Sequence, residues 1–174
     1  MEVTLFMAMS LNGFIAKENG DEDFLSWFNW ETACGIAKEH GNYIIGRKTH
    51  ETIKSYGKDG HGYQDLVGAQ GIVISNNTTL KLESNLIQSH SPQEALELLS
   101  AKGYKKALVI GGSHVNSAFA KFNLINTIIL NIEPYLIGKG LPLFFTSDFE
   151  RKLKFVEFND CKNGIVQIKY KVVK

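Results

Sequence analysis

Short apolar runs alternate with amphipathic stretches along the 174 residues of the chain. Five runs, Val3–Met9, Asn42–Ile45, Gly71–Ser75, Lys106–Ile110 and Thr127–Ile132, are rich in Val, Ile and Leu without strict alternation. That pattern predicts strands covered on both faces, as in a parallel sheet lying between helices. Helical periodicity fills several of the gaps. Asn29 can cap a helix in which Trp30, Ala33, Cys34 and Ala37 fall at i, i+3, i+4 and i+7, and Gly41 ends it. Ser91-Pro92-Gln93-Glu94 reads as a capping box with proline at the first helical position, and Gly103 closes that helix. Val115, Ala118, Phe119 and Phe122 repeat the helical spacing after Ser113.

The C-terminal pattern is different. Val166, Ile168, Tyr170 and Val172 alternate with Gln167, Lys169 and Lys171, which predicts a half-buried strand with one wet face. Leu153 to Phe158 precedes it, and the connection over 159–164 ends in an Asn-Gly turn, so the two strands read as an antiparallel hairpin at the sheet edge. Tyr56 to Gln70 is polar and glycine-rich without a clear period and reads as a surface loop. The expected architecture is one α/β domain over residues 1–174. It has a mixed, mostly parallel sheet, flanking helices and a C-terminal antiparallel hairpin.

Charge removes several function classes. The chain carries 19 Lys+Arg against 18 Asp+Glu, a formal net charge of +1, without the electrostatic footprint of a nucleic-acid or anionic-membrane binder. Cys34 and Cys161 are too far apart to form a zinc knuckle or a CxxC motif. His40, His50, His61, His90 and His114 fit no metal-ligand spacing, so no metal is expected. Glu2 stands where a signal peptide needs a base, and no run of about 18 apolar residues occurs, so a cytoplasmic location is expected.

Three segments could carry chemistry. In Ile45-Gly46-Arg47-Lys48-Thr49 a strand runs into glycine and a helix opens with two cations. Helix-start amides and the helix dipole favour an anion there, and glycine lets it approach. A plain strand–helix turn with solvated cations explains the same residues. Gly41 and Gly46 bracket a near miss to a P-loop, but Tyr43-Ile44-Ile45 reads as strand rather than cradle, which weakens a phosphotransfer reading. The second segment, Val109-Ile110-Gly111-Gly112-Ser113-His114-Val115, repeats the strand–glycine–helix arrangement, either for a second anion contact or for tight packing. The third sets Ser10-Leu11-Asn12-Gly13-Phe14-Ile15-Ala16 beside Trp27, Trp30 and Glu31. Aromatics with one acid could hold a ring-shaped ligand and offer it a proton, and Glu31 serves equally as a dipole-stabilising surface residue.

In this order, these segments resemble the dihydrofolate reductase fold family, and most closely its branch typified by the reductase domain of the bifunctional riboflavin-biosynthesis protein. Residues 10–16 are similar to the family's first strand and mobile loop. Gly46-Arg47-Lys48-Thr49 resembles its Gly-Arg-x-Thr cofactor turn, Ile72-Val73-Ile74-Ser75-Asn76 its third strand, and Val109-Ile110-Gly111-Gly112 its Gly-Gly segment. Residues 133–144 resemble the riboflavin branch's Pro-x-Leu-x-Gly-x-Gly-x-Pro-Leu-Phe run. The likeness spans essentially the whole chain.

The resemblance implies a three-layer fold and NADPH as hydride donor. Ala8 and Ile15 would flank the nicotinamide, and Gly46, Arg47, Lys48 and Thr49 would take phosphates. Ser75 and Asn76 would meet the adenosine side, and Gly111, Gly112, Ser113, His114 and Val115 the diphosphate. Trp27, Glu31 and Asn131 would border the substrate, with Glu31 as the catalytic acid. The departures concern the substrate. Ala69 replaces the arginine that pairs the folate tail, Gly35 falls near the usual aromatic wall, and Ile110 replaces the glutamate the riboflavin branch carries before Gly-Gly. The zinc deaminase signature of the bifunctional protein is absent from this sequence. The implied activity is NADPH-dependent reduction of a small heterocyclic C=N substrate, pterin- or aminopyrimidine-like. A non-catalytic NADP-binding regulator on the same scaffold is the alternative. The expected partner is that small molecule, with no nucleic acid or membrane, and a homodimer is left open.

Overall fold

Val3, Leu5 and Met7 point into one core and Phe6 into another, so the first strand is apolar on both sides because helices cover both. The computed structural model describes residues 1–161 and 163–174 with their side chains and residue 162 by its backbone. In chain order the elements begin β1 (Glu2–Ser10), β2 (Phe14–Lys17), α1 (Trp27–His40), β3 (Asn42–Gly46) and α2 (Arg47–Ser55). They continue with β4 (Gln70–Ile74), β5 (Leu86–Ser89), α3 (Pro92–Ala101), β6 (Lys106–Val109) and α4 (Ser113–Lys121). Last come β7 (Thr127–Glu133), β8 (Gly140–Pro142), β9 (Leu153–Asp160) and β10 (Val166–Val172).

Eight strands form one sheet in the order β5-β4-β3-β6-β1-β7-β10-β9. The pairings from β5 through to β7 are parallel, and β10 and β9 add antiparallel. β2 and β8 make a separate antiparallel ribbon. On one face Ala95 and Leu99 of α3 and Val115, Phe119 and Ala120 of α4 pack on Leu5, Ile44, Ile72 and Val109. On the other face Trp30, Ala33, Cys34 and Ala37 of α1 and Ile53 of α2 pack on Phe6, Tyr43, Ile45 and Val73. The result is the three-layer arrangement expected of the sequence. No helix among the described residues is long and apolar enough to cross a membrane.

The structure corrects several local expectations. α1 begins at Trp27 with Ser26 as its N-cap, so Asn29 lies inside the helix rather than capping it. Its amide is taken up by the buried carboxylate of Glu133, at 2.5 Å. The Ser91 hydroxyl does accept the Glu94 N–H, at 3.1 Å, but Glu94 returns its carboxylate to His90 N–H rather than to Ser91. Residues 56–70 are not merely a surface loop. They form two 3-10 turns, Tyr56–Asp59 and Tyr63–Leu66, with Leu66 and Ala69 buried in the α1 face of the core. Turns this short have no amphipathic period to display. Asn163 and Gly164, at φ 60° and 76°, make the hairpin turn. β10 is largely half-buried, whereas every residue of β9 is exposed, so the hairpin's outer strand has no dry face.

Candidate active site

β3 ends in Gly46, β6 runs on through Ile110 into Gly111-Gly112, each then hands the chain to a helix, and the two turns lock together. Ile110 N–H donates to the Ile44 carbonyl at 2.9 Å, and Gly46 N–H to the Gly111 carbonyl at 2.8 Å. Gly111 has φ +86°, a backbone conformation that favours glycine, and a Cβ built there would lie 2.7 Å from the Met7 sulfur, which would have to shift. The peptide joining it to Gly112 is cis. Gly46 caps α2 and Gly112 caps α4, and no side chain bonds the free amides of either first turn. Two helix N-termini therefore present unsatisfied N–H groups at one sheet edge, as anion binding requires.

Beside these turns lies a cleft of about 480 Å³. The structure places Ala8, Ile15, Thr49 and Gly112 on one side of it, at the carboxyl ends of the strands. A Cβ on Gly112 would meet only Thr49 Oγ1 at 3.5 Å and Ile15 Cδ1 at 3.8 Å. The opposite wall is aromatic: Trp27, Trp30 and Tyr56, with Glu22 from the loop before α1. Tyr56 stands edge-on to both indoles at 5.2 Å, and Trp27 stacks on His61 at 4.3 Å. Trp30 Nε1 donates to Asp65 at 2.7 Å, which fixes the ring plane. Burial works against the Asp65 charge, but bonds from Trp30, Gly62 and His61 hold its carboxyl below the ordinary value. A wider, shallower depression of about 740 Å³ runs over Lys17, Tyr135 and Lys139, with Asp23 on its border with the cleft.

The remaining expected cofactor residues surround the two turns. Lys48 is exposed and Arg47 half-buried, its guanidinium paired to Glu51 at 2.5 Å. His114 is exposed and leans on Phe145. Ser75 follows β4 at the same sheet edge, its hydroxyl accepting Asn77 N–H at 3.1 Å, and Asn76 beside it is exposed. Val115 is a packing residue by its side chain, since Gly46 lies against its Cγ2. The Ser113 hydroxyl donates to the Pro142 carbonyl at 2.5 Å, so it pins the residue 133–144 run against α4 rather than facing a ligand.

The structure places two of the expected substrate-side residues away from the cleft wall. Glu31 is exposed and does not line the cleft. With α1 starting at Trp27, the cleft and the core take Trp30 and Ala33, and Glu31 turns to solvent. Asn131 is fully buried and also absent from the cleft wall. Its Nδ2 donates to Asn29 at 2.9 Å and its Oδ1 accepts from Gln167 at 2.8 Å, so it holds the Asn29 side chain beneath the cleft. The sequence reading missed Glu22 and Tyr56. The visible signal was an acidic run, Asp21-Glu22-Asp23, leading directly into Trp27 and Trp30.

Sheet order, covering helices and the paired glycine turns define a dihydrofolate-reductase-like α/β protein. The chain belongs to the RibD C-terminal domain family, whose model matches residues 1–167. It is 28% identical over 161 residues to the "uncharacterized protein YwjB" of Bacillus subtilis (strain 168), covering 88% of each chain. Its fold is similar to that of a putative riboflavin biosynthesis protein from Shewanella sp. PV-4, at 22% identity, TM-score 0.80 and full coverage of both chains. It also matches the diaminohydroxyphosphoribosylaminopyrimidine deaminase/5-amino-6-(5-phosphoribosylamino)uracil reductase of Thermotoga maritima, at 16% identity and TM-score 0.71. That match covers 99% of this chain and 56% of the Thermotoga protein.

Proposed function

We propose that the protein is an NADPH-dependent reductase of a small nitrogen heterocycle bearing a C=N bond. The observation that carries this reading is the two-sided cleft. Uncapped helix starts and an unfilled glycine meet on one side, and aromatic rings with a carboxyl group on the other. The residues present suit the cofactor. Amides at the starts of α2 and α4, with Arg47 and Lys48, would hold its phosphates, and Ala8, Ile15 and Gly112 leave room for a flat ring. When bound, NADPH supplies the hydride. The protein's own share is to position the ring carbon, exclude water and provide a proton.

The membership supports an oxidoreductase, and the Thermotoga protein's name carries a reductase of an aminopyrimidine. The experiment is a fluorescence titration with NADPH, followed by NADPH oxidation against dihydrofolate, pterins, aminouracils and cyclic imines. Saturable NADPH binding and oxidation with at least one ring compound are expected. No binding at millimolar NADPH would overturn the reading, and binding without any oxidation would favour a regulatory NADP-binding protein.

A further inference from the structure

We propose that Glu22 is the acid of this cleft: it anchors the substrate's ring nitrogen and hands it a proton. The role rests on the reductase reading above. Glu22 sits in the loop between β2 and α1 and is half-buried on the cleft wall beside Trp27 and Trp30. Tyr56 Oη donates to its carboxylate at 2.8 Å, and Tyr56 is itself held edge-on by the two indoles. One oxygen is thus positioned by the protein while the group as a whole faces the cavity.

The charges around Glu22 favour a neutral acid. Asp21 and Asp23 from its own loop and Asp59 from the 56–59 turn line the same cleft, where among the described residues no Lys, Arg or His does; Asp23 is paired outside it to Lys17 at 2.6 Å, and Asp21 is the charge that acts on Glu22. Burial raises the carboxyl pKa above its ordinary value, the Tyr56 bond pulls against that rise, and Asp21 adds to it. Tyr56 keeps its own proton, because burial and the neighbouring Glu22 push the phenol far up. The pair is therefore suited to release one proton and to stabilise the carboxylate left behind.

The step balances. The ring carbon gains a hydride and the C=N π pair moves to nitrogen. That nitrogen takes the proton from Glu22, leaving an N–H bond and a carboxylate that accepts from Tyr56. Water then reprotonates the carboxylate. Of the acids close in sequence to Trp27 and Trp30, Glu31 cannot serve, since it lies outside the cleft.

The test uses the intact chain with its glutamate side-chain carbons labelled with 13C. The resonance missing from Glu22→Gln identifies Glu22, and its midpoint is expected above the ordinary glutamate value of 4.5. Tyr56→Phe should move that midpoint higher still, because it removes the bond that favours the carboxylate. In Glu22→Gln, turnover of the compound found by the substrate screen is expected to fall about 10²–10⁴-fold, with NADPH affinity unchanged. If wild-type protein fails to bind NADPH, the reductase reading is overturned. If it binds NADPH but Glu22 titrates at or below 4.5, or Glu22→Gln turns over at the wild-type rate, the role of Glu22 alone is overturned.

Discussion

The backbone N–H of Gly46 donates to the carbonyl of Gly111 at 2.8 Å, so the turn that opens α2 is joined directly to the turn that opens α4. β3 and β6 pair in register at Ile44↔Val109 and are joined again at Gly46–Gly111, and past that bond the two chains diverge onto opposite faces of the sheet. Divergence leaves a gap at the strand ends, and both helix N-termini border it. A dinucleotide would gain amide contacts from both, and that geometry exists because each turn stabilises the other.

The two glycines of the second turn should respond differently to alanine. Gly111→Ala places a side chain at φ +86° and a carbon 2.7 Å from the Met7 sulfur. The backbone term alone costs about 1–2 kcal/mol, and the contact adds to it, so thermal unfolding should fall by several degrees. Gly112, at φ −76°, accepts Cβ without a protein clash, so Gly112→Ala should unfold as the wild type does. Its methyl group would instead occupy the space between Thr49 and Ile15, and NADPH affinity should drop at least about tenfold, or 1.4 kcal/mol. Retained affinity in a folded Gly112→Ala protein would show that the turn does not meet the cofactor.

NADPH should bind more tightly than NADH. Arg47 opens α2, and its guanidinium is held by Glu51 in a half-exposed pair that a phosphate could displace or share. A charge-assisted bond to the 2′-phosphate is worth on the order of 1.5–3 kcal/mol before screening. Fluorescence titration of both dinucleotides, at low and high salt, measures the difference. Arg47→Gln should bring the two affinities together, and equal affinities in the wild type would count against a 2′-phosphate site.

The glycine-turn side of the cleft was legible in the sequence because it is built from consecutive residues. Ile45-Gly46-Arg47 and Ile110-Gly111-Gly112 each carry strand, turn and helix start within a few positions, and backbone amides are what the turns offer. The aromatic side is assembled across distance. Glu22 meets Tyr56 over 34 positions, and Asn131 reaches Asn29 over 102, pairings that no local period encodes. Glu31 is a natural choice only if Asn29 caps α1 and the helix begins at Trp30. Moving the start to Trp27 leaves the same residue in the helix but shows that the nearby cleft acid belongs to the preceding loop. β2, β5 and β8, of three or four residues each, were also too short to show a period.

Stability should decline as the pH falls below 6.5. His50 is almost fully buried, with Nδ1 against the Tyr63 hydroxyl at 2.5 Å and Nε2 3.8 Å from Glu83. Burial lowers its pKa despite Glu83 and Glu51, and Lys54 works in the same direction as burial. Burial likewise lowers the pKa of His40. For a base depressed in the folded state, the unfolded chain takes up the proton first. Stability is therefore complete above the unfolded value of 6.5 and is lost as pH drops from there through the folded pKa. Urea midpoints between pH 5 and 8 should show this slope, and His50→Gln should flatten it. An unchanged slope in the variant would assign the effect elsewhere.

Dihydrofolate should be a poor substrate, and so should phosphorylated rings. Ala69, aligned by resemblance with the folate-pairing arginine, is buried in the core, and Gly35 is exposed with nothing within 4 Å of its missing side chain. Neither position offers a tail contact. Asp21, Asp23 and Asp59 line the cleft, and among the described residues no Lys, Arg or His does. Lys17 and Lys139 lie over the neighbouring depression, and Lys17 is bound to Asp23 at 2.6 Å. An anionic tail thus loses a charge-assisted pair and meets like charge as well. A loss of 2.8 kcal/mol is about a hundredfold in affinity, so kcat/KM for dihydrofolate should fall below about 10⁴ M⁻¹s⁻¹, the lower end of the enzyme range. Uncharged rings should be reduced faster than their phosphates. Added salt should narrow that gap by screening the aspartates. A dihydrofolate kcat/KM inside the usual range, or a phosphate ester reduced faster than its parent ring, would place a cation in the cleft that the structure does not show.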